Sequence, residues 1–422
     1  MAAVTAVGLA GASRARAAES ANDRLNIACV GVGGRGEANV QGVAGQNLVA
    51  MVDVDSVRAA KSFEAQPSAK RYTDYRRMLD ELGGQLDAVV ISTPDHTHFH
   101  PALAAMQLGL HVYLEKPLAH NLWETRTLTD YARQQGLATQ LGTQRHALPT
   151  MHRAVELVQS GAIGTVSEVH CWIASDRGMP TLPADQPTPP ETLDYDLWLG
   201  PVAEARPYHP SFCPYGWRFW WDFGTGETGN WGCHILDIPF RALGLRHPTR
   251  IDATGPEVDA ERTPESMRCE FLFPESNQGT PVKLHWGQGV PAIVRGLELP
   301  PLEEGEERFA SNTLFIGSEG MLLCGFDGLM LLPADEFIDF EAPEPFVPDS
   351  PGFYREWIDA CRGGEPATCH FDYSGPLSET VLLGNVAYRA DGFDWDAEGL
   401  TTGGNAKAQS LVKVSYRPGW EL

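Results

Sequence analysis

The chain has 422 residues, of which 43% are hydrophobic and 21% are charged, and its formal net charge is −23 at pH 7. This length predicts two or three domains, and the composition excludes a globally disordered chain. The acidic balance excludes sequence-independent nucleic-acid binding, because a phosphate backbone repels such a surface. No apolar run reaches the roughly 18 to 20 residues of a membrane-spanning helix, so no membrane insertion is predicted.

The N-terminal segment 1–21 is rich in alanine and contains the small-x-small sequence Ala15-Arg16-Ala17. This form is typical of a signal-peptidase site, and an apolar stretch precedes it. From that stretch onward the segment resembles a twin-arginine export signal, although the charged region at its front is missing. We therefore expect a periplasmic protein. The alternative is a disordered tail on a cytoplasmic one.

The region 22–145 alternates short apolar runs with helical patterns. The runs predict strands over 25–30, 48–52, 86–92, 111–114 and 138–141, with helices over 56–64, 74–83, 99–109 and 121–135 between them. Strands separated by helices of this length indicate βαβ units and a parallel sheet. This region is therefore predicted to be a doubly wound Rossmann domain.

The region 146–422 has a different pattern and is predicted to be an α+β substrate and oligomerisation domain. A helix is predicted over 150–160, then a Pro-rich and aromatic segment over 177–225, and late helices over 353–362 and 376–391. Strand-like runs occur at 166–174, 250–253, 267–273, 282–287, 313–317, 320–324 and 329–332. They indicate a large, mostly antiparallel open sheet. The late helices, within 353–391, are expected to pack back on the Rossmann domain.

A glycine-rich loop follows the first predicted strand, with Gly31, Gly33 and Gly36 in a GxGxxG pattern. The first glycine permits a tight turn, the second lets the backbone approach a pyrophosphate, and the third lets the next helix pack on the strand. Asp53 closes the second strand, where a carboxylate accepts hydrogen bonds from the adenosine ribose. The same charge repels a 2′-phosphate, so NAD is predicted and NADP is less favoured. Arg35 is the residue that could accept such a phosphate.

Polar clusters follow two further strands, at the sheet edge where doubly wound domains bind ligands. They are Thr93-Pro94-Asp95-His96-Thr97-His98 and Glu115-Lys116-Pro117. The chain also contains the loop Gly31-Val32-Gly33-Gly34-Arg35-Gly36 and the segment Gly229-Asn230-Trp231-Gly232-Cys233-His234-Ile235-Leu236-Asp237. In their order and spacing along the chain, the four motifs resemble those of the Gfo/Idh/MocA family of NAD(P)-dependent carbohydrate oxidoreductases. The resemblance covers about 25–395.

The resemblance implies that Lys116, His234 and Asp237 are catalytic. In this interpretation His234 takes the hydroxyl proton and Asp237, three residues later, orients its ring, while the Lys116 ammonium stabilises the developing alkoxide. Many family members have aspartate where this chain has Asn230, whose amide can bind a sugar hydroxyl but cannot act as a base. The cofactor-binding residues implied are Gly31, Gly33, Gly34, Arg35, Gly36, Asp53, Thr93, Pro94, His96, His98, Glu115 and Lys116.

Substrate-binding residues are expected on the second domain and at the domain junction. The stretch 215–223 is unusually aromatic, so Trp221 suits the apolar face of a sugar ring, and Arg218 suits its hydroxyls or a carboxylate. An aromatic core or an oligomer contact is the alternative. Arg145 and His146 follow the last Rossmann strand and are expected in the same cleft as Asn230, unless they form only a junction loop.

The alternation of His96, His98 and His100 permits a metal site, because alternate residues of an extended segment share one side. Additional ligands for a zinc-dependent variant would be Glu227, His234 and Asp237. A cofactor loop leading into a helix is the preferred interpretation, and no metal is predicted. The eight cysteines contain no CxxC pair, which argues against a zinc ribbon, and a Cys361–Cys369 disulfide is left open.

The predicted function is NAD-dependent hydride transfer from a ring-carbon hydroxyl of a sugar or glycoside. An exported enzyme has no free pool of nicotinamide cofactor, so it must return its cofactor to the starting state in each turnover. The first alternative is therefore a redox-neutral glycoside hydrolase or lyase that passes through a transient 3-keto intermediate. A metal-dependent or non-catalytic sugar-binding protein is the second alternative. A homodimer or homotetramer is expected by analogy, because open sheets of this kind commonly pack against another subunit.

Overall fold

The computed structural model describes residues 24–204, 206–300 and 311–421. The predicted signal segment 1–21 lies outside these residues. Within the described ranges, no helix combines the length and apolar character that crossing a bilayer requires.

The first domain contains six parallel strands: β1 (Asn26–Val30), β2 (Asn47–Val52), β3 (Lys70–Tyr72), β4 (Ala88–Ile91), β5 (His111–Leu114) and β6 (Thr139–Leu141). Its helices are α1 (Arg35–Gly42), α2 (Ala60–Ala65), α3 (Tyr75–Leu82), α4 (Phe99–Gln107) and α5 (Leu122–Gln135). The strand order is β3-β2-β1-β4-β5-β6, so the topology switches direction between β1 and β4. All four residues of β4 are buried, as expected for a parallel strand with helices on both faces.

Two local features of this domain differ from the prediction. The edge strand β3 was not predicted, because Lys70 and Arg71 are exposed and give no apolar alternation. The helix predicted from residue 56 begins only at Ala60. A turn precedes it, in which the Asp55 carboxylate accepts hydrogen bonds from the backbone N–H groups of Val57 and Arg58 at 3.1 and 3.0 Å.

The second domain contains β7 (Val166–Ile173), β8 (Arg250–Thr254), β9 (Arg268–Phe273), β10 (Val282–Gln288), β11 (Ser311–Gly317), β12 (Met321–Gly325), β13 (Leu329–Leu332) and β14 (Phe393–Asp394). They form one sheet in the order β13-β12-β11-β7-β10-β9-β8-β14. Only the β7–β10 pair among these described strands is parallel. The predicted fold class, a Rossmann domain with an α+β domain built on a mostly antiparallel sheet, is confirmed.

The remaining helices are α6 (Pro149–Gln159), α7 (Tyr195–Leu199), α8 (Gly226–Ile235), α9 (Asp237–Leu243), α10 (Ala292–Arg295), α11 (Phe353–Cys361), α12 (Phe371–Ala390) and α13 (Ala406–Val412). The late helix α11 contacts the Rossmann core, where the buried Trp357 ring lies 5.8 Å from that of Tyr113. From α12, the buried Glu379 forms two 2.7 Å hydrogen bonds with Arg126 of α5. These contacts join the late helices to the first domain.

All eight cysteines lie in the described part of the chain and are free thiols. Cys369 is buried and its sulfur accepts a hydrogen bond from the Thr143 hydroxyl at 3.0 Å. The structure therefore contains no bond between Cys361 and Cys369.

Candidate active site

A cleft of about 400 Å³ lies at the carboxyl ends of the Rossmann strands, between that sheet edge and α8. Its position is the one in which doubly wound sheets bind ligands. The structure brings thirteen of the predicted site residues to its walls: Gly31, Gly33, Arg35, Asp53, Thr93, Pro94, His98, Glu115, Lys116, Arg145, Arg218, Asn230 and His234. The other predicted residues lie outside its lining: Gly34, Gly36, His96, His146, Trp221 and Asp237.

The glycine loop is a tight turn that tolerates no side chain at two of its positions. Gly31 has a φ of 76°, and a Cβ atom there would lie 2.8 Å from the backbone carbon of Ser92. A Cβ atom on Gly36 would lie 1.9 Å from the carbonyl oxygen of Gly31. These two glycines let the start of α1 approach β1 closely, which is the arrangement in which doubly wound domains bind a pyrophosphate.

Asp53 connects the end of β2 to this loop. One carboxylate oxygen accepts hydrogen bonds from the backbone N–H groups of Val32 (2.8 Å) and Gly33 (3.1 Å). The other accepts one from the N–H of Asp55 at 3.0 Å. Burial raises the pKa of Asp53, and these hydrogen bonds oppose that rise. The carboxylate therefore shapes the loop in addition to facing the cleft.

The Glu115 carboxylate, 6% exposed, is the centre of a hydrogen-bond network under the loop. A single oxygen accepts hydrogen bonds from Arg35 Nε (3.1 Å), Asn39 Nδ2 (3.0 Å) and Gln144 Nε2 (2.9 Å). His98 makes a separate set of contacts, in which its ring nitrogens each lie 2.8 Å from a carbonyl oxygen, those of Thr93 and Pro117. His98 thereby links the loops that follow β4 and β5.

Lys116 projects from the end of β5 to α8. Its Nζ donates hydrogen bonds to the backbone oxygen of Asn230 (2.9 Å) and to Asn230 Oδ1 (3.2 Å). Burial lowers the pKa of Lys116, and the nearby carboxylates of Asp95 and Glu115 oppose that effect. An ammonium group has three N–H donors, so one is left for a ligand in the cleft.

The orientation of Asn230 is fixed by Glu227, one turn earlier on α8. The Glu227 carboxylate is 1% exposed and accepts hydrogen bonds from Arg177, from Ser175 Oγ (2.9 Å) and from Asn230 Nδ2 (2.9 Å). A carboxylate can only accept and an ammonium can only donate, so Asn230 must turn its amide nitrogen to Glu227 and its oxygen to Lys116. The sequence alone had suggested Glu227 only as a metal ligand.

The half-buried His234 lines the cleft near the end of α8. Its Nδ1 is buried and has no hydrogen-bond partner among the described residues. Burial lowers the pKa of His234 well below its ordinary value, and the positive charges of Lys116 and Arg145 lower it further. The imidazole is therefore neutral near pH 7, the form that can accept a proton.

Asp237 does not orient the His234 ring, so this expectation was wrong. The helix ends at Ile235 and Asp237 begins α9, where its fully buried carboxylate accepts hydrogen bonds from His146 Nδ1 (2.8 Å) and Tyr373 Oη (2.5 Å). His146, predicted to bind substrate, is the buried partner in this pair. A spacing of three residues places side chains on one face only when the helix is continuous.

The three alternating histidines diverge, so they do not form one metal site. The nitrogens of His96 lie 3.2 and 2.9 Å from the carbonyl oxygens of Phe223 and Trp198. His100 Nε2 lies 3.0 Å from the carbonyl oxygen of Trp420, in a different part of the fold. Burial lowers the pKa of His96 to about 3. His96 therefore connects the β4 loop to the second domain and does not face the cleft, contrary to the prediction.

The aromatic segment contributes to the cleft, but through a different tryptophan from the predicted one. Trp221 is buried in the core of the second domain, where its Nε1 donates to the backbone oxygen of Asp259 at 3.1 Å. Trp217 lines the cleft instead, with the Arg218 guanidinium 4.2 Å from its ring centroid. Arg145 also lines the cleft, with its guanidinium carbon 5.2 Å from the ring centroid of Trp231.

Two family models match this chain. The NAD-binding Rossmann model of the oxidoreductase family GFO_IDH_MocA matches residues 25–143, and the C-terminal alpha/beta domain model of the same family matches residues 158–272. The chain belongs to the Gfo/Idh/MocA oxidoreductase family.

Curated relatives of this Gfo/Idh/MocA chain include sugar and polyol dehydrogenases. Inositol 2-dehydrogenase 1 of Saccharopolyspora erythraea is 29% identical over 184 residues, 42% of this chain and 54% of the relative. Levoglucosan dehydrogenase of Pseudarthrobacter phenanthrenivorans is 25% identical over 232 residues, 52% of this chain and 51% of the relative. The matches thus span about half the length of these relatives.

The fold is shared over a longer part of the chain. A solved structure of levoglucosan dehydrogenase, in complex with NADH and levoglucosan, superposes with a TM-score of 0.57 and 17% sequence identity. The match covers 85% of this chain and 96% of that one. At this identity the likeness concerns the fold alone.

Two further residues at the cleft of this Gfo/Idh/MocA protein were not found from the sequence. Arg58 covers the glycine loop so closely that a Cβ atom on Gly34 would lie 2.4 Å from its Nη2. Trp231 lines the cleft between Asn230 and His234. Trp231 lies inside the segment Gly229–Asp237, and an aromatic residue next to Asn230 could have been predicted to line the cleft. Arg58 lies before α2 and belongs to no motif, so the sequence offered no signal for it.

Proposed function

We propose that this protein is an NAD-dependent oxidoreductase that removes a hydride from a ring-carbon hydroxyl of a sugar or glycoside. One observation carries the proposal: Lys116 and His234 line the same cleft as the glycine loop and Asp53. A base, a cation and a dinucleotide-binding turn at one sheet edge are the components that alcohol oxidation requires. The inositol and levoglucosan dehydrogenase relatives support a carbohydrate substrate.

The residues of the first domain fit a dinucleotide. The turn at Gly31 and Gly36 leaves no room for side chains, and a pyrophosphate would bind at the N-terminus of α1, next to the Arg58 guanidinium. NAD supplies the hydride acceptor when it is bound. Asp53 favours NAD over NADP, because its carboxylate repels a 2′-phosphate at the ribose. The match of residues 25–143 to the family's NAD-binding Rossmann model supports a nicotinamide cofactor.

The chain's own residues then have distinct roles. The neutral imidazole of His234 accepts the proton of the substrate hydroxyl. The N–H of Lys116 that is not bonded to Asn230 donates to the same oxygen as negative charge develops on it. Asn230 holds the ammonium in place, and Glu227 holds Asn230. The aromatic ring of Trp217 and the guanidinium of Arg218 border the space for the sugar.

Replacing Asp53 with alanine is expected to weaken NADH binding about tenfold and to reduce the preference for NADH over NADPH. The change removes the ribose acceptor and leaves the N–H groups of Val32 and Gly33 without their partner. Fluorescence titration with both reduced cofactors measures the effect. Asp80→Ala, which changes an exposed carboxylate on α3, is the matched control. Unchanged affinity for both cofactors in the Asp53 variant would exclude the ribose role.

Replacing Glu227 with glutamine is expected to lower kcat about tenfold with the fold retained. Arg177 and Ser175 occupy the one oxygen of the new amide, so its N–H group faces Asn230. Asn230 must then turn, and its own N–H group meets the ammonium of Lys116. Steady-state kinetics measures the loss, with Glu261→Gln, a half-exposed partner of Arg206, as the control. Equal kcat values in the two variants would contradict this chain of hydrogen bonds.

The N-terminal segment favours a second candidate, a redox-neutral glycoside hydrolase or lyase in the periplasm. Transient oxidation at C3 acidifies the C2 proton, so a base removes it and the leaving group departs from C1. Water then adds to the product, and the hydride returns to C3. This route uses the same cleft, and it requires that the cofactor stay bound between turnovers.

The decisive experiment combines native mass spectrometry with two assays. The protein is dialysed, and native mass spectrometry then shows whether NAD has remained bound. One sample is incubated with a panel of sugars plus NAD, and a second sample with p-nitrophenyl glycosides. Accumulation of NADH supports the dehydrogenase, and chromophore release without NADH supports the redox-neutral route. A protein that neither retains nor binds NAD, and that catalyses neither reaction, would refute both candidates.

A further inference from the structure

Two histidines face each other on the central strands of the second sheet. His170 of β7 and His285 of β10 are paired in the parallel register, and their rings stack with centroids 4.4 Å apart and planes 6° apart. The next residue, Trp286, donates its Nε1 to Thr228 of α8 at 3.1 Å. Side chains alternate along a strand, so the histidine pair lies on the sheet face turned away from α8 and from the cleft.

The carboxylate of Glu168 completes a cluster with these rings. Its Oε1 lies 2.9 Å from His170 Nε2 and 3.0 Å from His285 Nε2. Both nitrogens are buried and neither has a partner with hydrogen-bond geometry among the described residues. The three atoms all lie within 4.8 Å of one another. Zinc–nitrogen bonds of 2.0–2.1 Å place tetrahedral donor atoms about 3.3 Å apart, close to the 2.9 and 3.0 Å separations between Glu168 and the two rings. Because two stacked rings cannot both direct a lone pair at one ion, one imidazole must turn about its χ2 torsion when the ion binds.

The ion pairs around the cluster leave the Glu168 carboxylate available to a cation. The neighbouring Lys283 forms its ion pair with Glu270, at 3.3 Å, and not with Glu168. The Glu168 side chain is 38% exposed, so an ion and a water ligand can reach it from solvent.

Glu270 occupies the position of a supporting carboxylate. Its Oε2 lies 3.7 Å from Nδ1 of His285, the nitrogen that faces away from the cluster. Metal-bound histidines commonly have a carboxylate on their second nitrogen, which fixes the tautomer and the ring orientation. Glu270, paired with Lys283, is therefore placed to support His285 from the side opposite to Glu168 and His170.

We propose that Glu168, His170 and His285 form a binding site for one divalent transition-metal ion, with Zn²⁺ the best fit to two imidazoles and a carboxylate. Water completes the coordination, as is usual when a protein supplies three ligands. The ion connects β7 to β10, the parallel pair at the centre of the sheet, and stabilises the second domain. The site is separate from the cleft and does not depend on the proposed function.

A second group of metal-binding residue types lies beneath the cleft and must be distinguished in any test. His146, Asp237 and Cys369 have ligand atoms within 4.8 Å of one another. The carboxylate of Asp237 is already bonded to His146 and Tyr373, and all three candidate ligands are buried. This group differs from the proposed site in containing a sulfur ligand.

Titration of the chelator-treated full chain with zinc chloride tests the proposal. Isothermal calorimetry is expected to show one Zn²⁺ per chain, with binding weakened at least about 100-fold in His170→Asn and His285→Asn. His209→Asn is the matched control, because His209 also contacts a carboxylate, that of Asp185. Zinc is expected to raise the Tm of the wild type and the control but not of the two variants. Circular dichroism verifies that the variants are folded.

Cobalt substitution gives a second, independent measurement. Co²⁺ at the proposed site is expected to produce visible tetrahedral bands without a sulfur charge-transfer band, and these bands are absent in His285→Asn. Zinc binding that is absent, or equal in the wild type and the His285 variant, would overturn the proposal. A sulfur charge-transfer band would also overturn it, since it would assign the ion to the group with Cys369.

Discussion

Replacing Lys116 with methionine is expected to lower kcat by about 10³-fold or more. Methionine keeps much of the aliphatic length of lysine but removes the ammonium that bonds to the backbone and side-chain oxygens of Asn230 at 2.9 and 3.2 Å. The developing alkoxide then has no cationic donor at this point of the cleft. Binding of NADH is expected to change little, because the glycine loop and Asp53 are untouched.

The matched control is Lys61→Met, which changes an exposed lysine on α2. Both variants and the wild type are compared by steady-state kinetics, NADH fluorescence titration and thermal unfolding. A near-normal kcat in the Lys116 variant would contradict the catalytic assignment. A kcat loss that accompanies an equal loss of NADH affinity would assign Lys116 to cofactor binding instead.

The parts of the site that could be predicted are those in which neighbours in sequence are also neighbours in space. Gly31, Gly33 and Gly36 act within one turn, and Lys116 is the second residue after a buried strand whose apolar run is easily recognised. A parallel sheet brings the carboxyl ends of its strands to one edge. Local pattern and topology together were therefore sufficient to place these residues at one cleft.

The residues that were misplaced depend on contacts between distant segments. The break between α8 and α9 turns Asp237 into the core, where its partners are His146 and Tyr373, 91 and 136 residues away in sequence. Pro239 is a local signal for that break, because it has no N–H to bond to the carbonyl of Ile235 four residues earlier. The partners of Asp237 beyond the break are not predicted by any local pattern. Packing of the second domain on α5 and β6 decides where these buried polar groups lie.

The aromatic segment shows the same limit at shorter range. Trp217, Trp220 and Trp221 are all buried, but only Trp217 lines the cleft. The backbone forms a short tight helical turn over 216–219 and then extends, so neither a period of two nor one of 3.6 assigns their directions. The composition of the segment predicted that an aromatic side chain lines the cleft. Only the structure shows that this side chain is Trp217.

Replacing Gly36 with alanine is expected to reduce NADH affinity by about 100-fold or more and to destabilise the protein by about 3 kcal/mol. The new methyl group would lie 1.9 Å from the carbonyl oxygen of Gly31. That oxygen cannot move away easily, because the Gly31 N–H is bonded to the carbonyl of Val52 at 2.8 Å and Gly31 itself lies against Ser92. The helix α1 must therefore shift from β1, which distorts the turn that receives the pyrophosphate.

Gly45→Ala separates this effect from a general sensitivity to glycine replacement. A Cβ atom on Gly45 meets no atom within 4 Å, and its φ lies outside the left-handed region, so this variant is expected to bind NADH and unfold like the wild type. Thermal unfolding and NADH titration of the two variants give the comparison. Wild-type NADH affinity in the Gly36 variant would show that close packing of α1 on β1 is not needed for cofactor binding, and the assignment of the loop would then fail. Loss of affinity in the Gly36 variant alone would tie cofactor binding to the contact between the first and third glycines of the motif.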